Sequence, residues 1–113
     1  MRLKINTEGV TFLATRPAEL RVDRETGAVR TDRESGRELW QVQVAALDDS
    51  GGEVLSVSMA GQPANFAVGL PVTIDGLVAI PWSMGERSGV AYRAEGIRTL
   101  DAAANRQTAK AAE

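Results

Sequence analysis

The chain has 113 residues, 43% of them hydrophobic and 25% charged, which suits one globular domain with a modest core. Thirteen basic residues against fifteen acidic ones give a net charge of −2, so no overall positive field draws polyanions toward it. With neither cysteine nor histidine it has no disulfide or thiolate chemistry, and it lacks both the commonest general base and most zinc ligand sets.

In chain order, residues 1–10 read as an N-terminal extension. No long apolar run opens the chain, so no signal peptide is expected, and no later run is long enough to span a bilayer. A cytoplasmic protein without a membrane partner is the expectation. Residues 11–16 are rich in strand formers, and Pro17 implies a kink or an edge position. Leu20 and Val22 then alternate with Glu19 and Arg21, continuing the strand.

A doubled turn follows: Asp23-Arg24-Glu25-Thr26-Gly27, then Asp32-Arg33-Glu34-Ser35-Gly36, starting nine residues apart. In each copy the Asp carboxylate caps a turn and the Gly takes the left-handed position that closes it. Two copies predict two reversals, and so a small β-arm between the first and second strands. Arg24, Arg30, Arg33 and Arg37 lie on this arm among Glu25, Asp32 and Glu34. The arm is either a solvated hairpin or a nucleic-acid contact.

Residues 38–48 alternate clearly, with Trp40, Val42, Val44 and Ala46 on one face and Gln41 and Gln43 on the other. Asp48-Asp49-Ser50-Gly51-Gly52 is a turn signal, and its carboxylate pair reads as turn chemistry rather than a metal or acid–base site. Residues 53–61 alternate again through Leu55, Val57 and Met59. Residues 62–69 form a connector with room for one helical turn. Residues 70–82 read as a long strand with a bulge or bend at Gly76. Residues 83–89 read as a hairpin loop, and 89–100 as the last strand. Residues 101–113, alanine-rich and polar, read as a frayed-helical or flexible tail.

Three strands before a short connector and two after it predict an all-β domain over residues 11–100. The expected architecture is a five-stranded Greek-key barrel of the OB-fold type, with the β-arm between strands 1 and 2 and the connector between strands 3 and 4.

The run Gly69-Leu70-Pro71-Val72-Thr73-Ile74-Asp75-Gly76-Leu77, followed by Trp82, resembles the fourth strand of bacterial single-stranded-DNA-binding proteins. Residues 38–47 and 89–97 fall where that family has its second and fifth strands. The resemblance covers roughly residues 11–99. The chain departs from the family in being aromatic-poor, in lacking lysine-rich faces and in having no acidic tip on its tail. As a whole it also looks like small regulatory or accessory proteins of actinobacterial integrative conjugative elements. That likeness implies a mobile-element context and no particular site residue.

The resemblance implies single-stranded DNA as a partner. From the residues themselves, Trp40, Trp82 and Tyr92 are the aromatics that could stack on bases, which contributes about 1–3 kcal/mol per base. Trp40 and Tyr92 share parity with apolar neighbours, so core positions are equally open to them. Arg87 in the hairpin loop and Arg93 on the last strand could reach phosphates. No phosphate loop and no nucleophile–base pair is present, so the chain reads as a non-enzyme without cofactor or metal. The alternative is an OB-like protein-interaction or regulatory module that binds other proteins of the same element. Free sheet edges make a homo-oligomer a further expectation.

Overall fold

The structure, a computed structural model, describes residues 1–99. It is all-β, with no helix among the described residues. The strands are β1 (Leu3–Lys4), β2 (Thr11–Leu20), β3 (Leu39–Asp48), β4 (Gly51–Ala60), β5 (Pro71–Asp75), β6 (Val78–Met84), β7 (Arg87–Arg93) and β8 (Gly96–Thr99). They form one mixed sheet in the order β1-β6-β7-β4-β3-β2-β5-β8.

The alternation of β3 and β4 carries the centre. Val42 faces Val57, Val44 faces Leu55 and Trp40 faces Met59 across an unbroken antiparallel ladder. Val42, Val44 and Val57 are fully buried, while the opposite face shows Gln41 and Ser56 to solvent. β2 pairs with the other edge of β3, but its register slips between Ala14 and Arg16 and again between Arg16 and Glu19. Pro17 has no N–H to give a ladder, so the interruption expected there becomes bulges inside one strand.

Among the described residues eight strands stand where five were expected. Two of the five are broken, and Leu3–Lys4 of the N-terminal extension adds a short edge strand against β6. The fourth breaks into β5 and β6 at Gly76, whose φ of +64° supplies the expected bend. The fifth breaks into β7 and β8 at Ala94 and Glu95. The two breaks lie together: the Glu95 N–H donates to the Asp75 carbonyl at 2.9 Å. A Cβ on Gly76 would fall 2.7 Å from the Glu95 side chain. Glycine therefore serves both the positive φ and the close approach.

β5 pairs with β2 and β8. β6 and β7 form a hairpin, and β7 joins β4 in the one parallel pairing among the described residues. Phe12, Val42, Val44, Val57, Met59, Val72, Ile74, Leu77, Ala94 and Ile97 make the core. The connector between β4 and β5 contains no helical turn. It is held by the Gly69 N–H on the Ala14 carbonyl and the Ala14 N–H on the Leu70 carbonyl, at 2.7 and 2.9 Å. The hairpin after β6 is tighter than expected: Met84 pairs with Arg87 around a two-residue turn, and Gly85 has φ +61°. The tail at 101–113 lies outside the described residues. Among those described, no helix is long and apolar enough to cross a membrane.

Candidate nucleic-acid interface

The doubled turn has a backbone reason. Three hydrogen bonds form a closed ring: Arg21 N–H to the Leu39 carbonyl, Leu39 N–H to the Arg30 carbonyl, and Arg30 N–H to the Arg21 carbonyl, each 2.9 Å. Residues 21, 30 and 39 are nine apart, so the chain passes one junction three times and throws out a small hairpin on each circuit. The first is closed by Gly27 N–H on the Asp23 carbonyl at 2.7 Å, the second by Gly36 N–H on the Asp32 carbonyl at 2.8 Å. Gly27 and Gly36 have φ of +73° and +74°. The repeat unit is thus nine residues long, beginning with Arg21 and Arg30.

The side chains then diverge. Asp23 accepts from the Glu25 and Thr26 N–H groups and stays exposed. Asp32 accepts from the Ser35 N–H and hydroxyl at 2.9 and 2.8 Å, and is only 8% exposed. Its other oxygen is held by the Arg93 guanidinium of β7. That bond first, and the Ser35 bonds second, bring the Asp32 carboxyl down to about 2. Arg21 donates to the Ser58 hydroxyl of β4 at 2.9 Å. Burial, with Arg30 nearby, lowers its pKa. The Arg37 guanidinium lies flat on Gly61, where any Cβ would collide with it. The second hairpin is therefore fastened to the sheet at Arg93 and Gly61, and the first is not.

Arg24, Arg30 and Arg33 are exposed. Among the described residues the ion pairs are Arg16–Glu19, Arg93–Asp32 and Arg98–Asp75, so these three arginines and Arg87 have no carboxylate partner there.

The β6–β7 hairpin carries the second part of the site. Trp82 pairs with Gly89, and a Cβ on Gly89 would lie 2.8, 3.0 and 3.1 Å from the indole Cζ2, Cε2 and Nε1. The indole therefore packs close against the glycine, and Trp82 remains 42% exposed. Met84 and Arg87 share this face, and so does Arg93 by strand parity. Arg93 in turn pairs with Ser58, and Ser58 with Gln41. One outer face thus runs from Trp82 and Arg87 to the glutamine–serine surface of β3 and β4, with the arm on its border. Thr15 donates to Gln43 on that surface at 2.9 Å.

Not every residue expected at the site lies there. Trp40 and Tyr92 are half-buried and pack against the core. Asp48 accepts from the Ser50 N–H and hydroxyl at 2.8 and 2.7 Å, mainly through the hydroxyl holding its carboxyl below the usual range, which is turn chemistry as expected. Among the described residues no cluster of three or more acidic side chains could hold a metal. Two residues of this region escape sequence reasoning. Asp32 has the same local pattern as Asp23, and nothing nearby marks it as an anchor. Met84 falls within the expected loop, yet the alternation of Ile80, Trp82 and Met84 could have extended the strand to it. No protein-family model, curated protein or solved structure matches this chain.

Proposed function

We propose that the chain is a small OB-fold-like protein that binds single-stranded nucleic acid, DNA by its resemblance, on the outer face between the arm and the β6–β7 hairpin. The observation that carries the reading is Trp82: a part-exposed indole packed against a glycine, beside Arg87 on the same face. Such a ring offers a π-face that any base can stack on, and a neighbouring cation can meet the phosphate. The uncharged Gln41, Gln43, Ser56 and Ser58 beyond it can exchange hydrogen bonds with bases without the desolvation cost of charge.

The barrel reading draws support from the connectivity. With β5–β6 counted as one bent strand and β7–β8 as another, a three-strand meander is followed by a fourth strand that pairs with both the first and the fifth. The fifth lies parallel to the third. That is the arrangement a five-stranded Greek-key barrel requires. Service to a mobile genetic element rests on resemblance alone.

The test is a titration of tryptophan emission with an oligothymidylate at several salt concentrations. Quenching is expected, with a log–log salt slope of about −0.7 for each phosphate neutralised. Trp82→Ala should abolish most of the quenching. An unquenched signal at low salt, with no retardation of the oligonucleotide, overturns the reading.

A further inference from the structure

β4 and β7 pair over only two positions, Val57 with Tyr92 and Ser58 with Arg93. Before those positions the two strands run on without pairing to each other. The Ala94 N–H reaches the Ser58 carbonyl at 2.9 Å, so the even-numbered residues of β4 turn their backbone groups away from β3. Gly52 and Val54 have this parity. Among the described residues nothing pairs with their outward N–H and C=O groups.

A cavity of about 420 Å³ lies beside this free edge. Its apolar wall includes Ile5 and Val10 of the N-terminal segment with Phe12, Leu55, Leu77 and Tyr92, and its rim carries Asp48 and Glu53. No lysine or arginine lines it, and Asp49 adds a third acid at the same turn. The Ser50 bonds keep Asp48 ionised at neutral pH. A nucleic acid would be repelled here. A free edge that ends in an acid-rimmed apolar cavity has the features of a site for strand addition, where main-chain bonds hold the ligand and a pocket selects its side chains.

We propose that this gap is a docking slot for an extended basic segment of a partner protein, which adds as a strand along Gly52–Val54. Every second side chain of the added strand faces the cavity: an apolar one enters over Leu55 and Tyr92, and the next on that face, a lysine or arginine two positions along, meets Asp48 and Glu53 on the same side. The slot is separate from the face that carries Trp82 and does not depend on nucleic-acid binding there.

The experiment is an amide-correlation NMR titration of the full chain with the probe acetyl-Lys-Ser-Val-Ser-Lys-amide, which sets both lysines and the valine on one face. Expected are saturable shifts at Gly52, Val54 and Leu55, and slowed hydrogen exchange at the Gly52 and Val54 amides. The Trp82 indole signal should stay in place. A glutamate-for-lysine probe should not bind, and a probe N-methylated at alternate residues should bind at least tenfold more weakly. Glu53→Gln, on an exposed rim, should keep the fold and weaken binding about two- to fivefold. Trp82→Ala should abolish most of the oligonucleotide quenching while leaving the probe's affinity unchanged, so the two readings fail separately. Equal binding of the N-methylated probe means surface charge attraction alone and overturns the slot. So do shifts confined to other surfaces, or no saturation by millimolar probe. Concentration-dependent shifts at Gly52 and Val54 without any probe would name a second copy of the chain as the occupant and overturn the basic-partner assignment.

Discussion

The two hairpins of the arm share a local sequence and differ in what they touch. In both, an aspartate carboxylate accepts from the N–H three residues on, which belongs to a threonine or serine, and a glycine with φ near +73° closes the turn. The first hairpin has only these local bonds and stands in solvent. The second is closed by the Ser35 N–H and hydroxyl on Asp32, and has in addition an ion pair to β7 and a guanidinium against Gly61. The same local instructions make a free element and an anchored one. The difference comes from which of the two lies over the sheet.

The largest expected contrast is between Asp23→Ala and Asp32→Ala. The first removes a turn cap. The second also strands the half-buried Arg93 guanidinium without its carboxylate, and an uncompensated charge is costlier than a missing cap. Thermal denaturation should show a melting temperature several degrees lower for Asp32→Ala, and a shift several times smaller for Asp23→Ala. Equal shifts would break the comparison.

Acid should act on the second hairpin in the same direction. The folded-state pKa of Asp32, about 2, lies below an unfolded value of about 3.9. The stabilisation is therefore complete above about pH 4 and is lost as pH falls through 2. Amide exchange at Ser35 and Gly36 should rise across that window, as the carboxylate that fastens the hairpin to Arg93 is protonated. Unchanged protection down to pH 2 would show that Arg37 on Gly61 holds the hairpin without the ion pair.

A smaller effect should be equal in the two copies. Nothing lies within 4 Å of a Cβ built on Gly27 or on Gly36. Gly27→Ala and Gly36→Ala should each cost about 1–2 kcal/mol, the penalty of an L-residue in the left-handed region. Chemical denaturation should give values within a few tenths of each other, because this cost is local even where the hairpins differ.

The smallest stability effect is expected for Arg24→Ala and Arg33→Ala, the matching exposed positions of the two units. Each should change stability by less than about 0.5 kcal/mol. If the arm borders a nucleic-acid face, every phosphate left without its arginine should reduce the salt slope by about 0.7. The fastened hairpin makes Arg33 the better placed of the two, so its slope change should be the greater. No change in slope for either would leave the arm as a solvated hairpin.

Much of the fold was legible because strand periodicity is a local property. The parity of Trp40, Val42 and Val44 against Gln41 and Gln43 named the inner and outer faces of β3, and Leu55, Val57 and Met59 did the same for β4. Gly76 announced its bend, and Asp48-Asp49-Ser50 its turn. Less legible were features that depend on a partner strand. The break at Ala94 and Glu95 answers the bend at Gly76 across the sheet. β1 is two residues long and exists by pairing with β6. Arg93, which by sequence could reach a phosphate, is in the folded chain the counter-ion of Asp32, and no pattern along the sequence joins residues 61 apart.

The sequence by itself determined the all-β character, the faces of the central strands and the two reversals of the arm, because each follows from side-chain alternation or from the preferences of Asp and Gly within a few residues. Tertiary structure alone decided which hairpin is anchored, that Trp82 packs against Gly89 and stays part-exposed, and that β4 and β7 share only two paired positions. Those outcomes depend on distances between residues far apart in the chain, and only the folded sheet sets such distances.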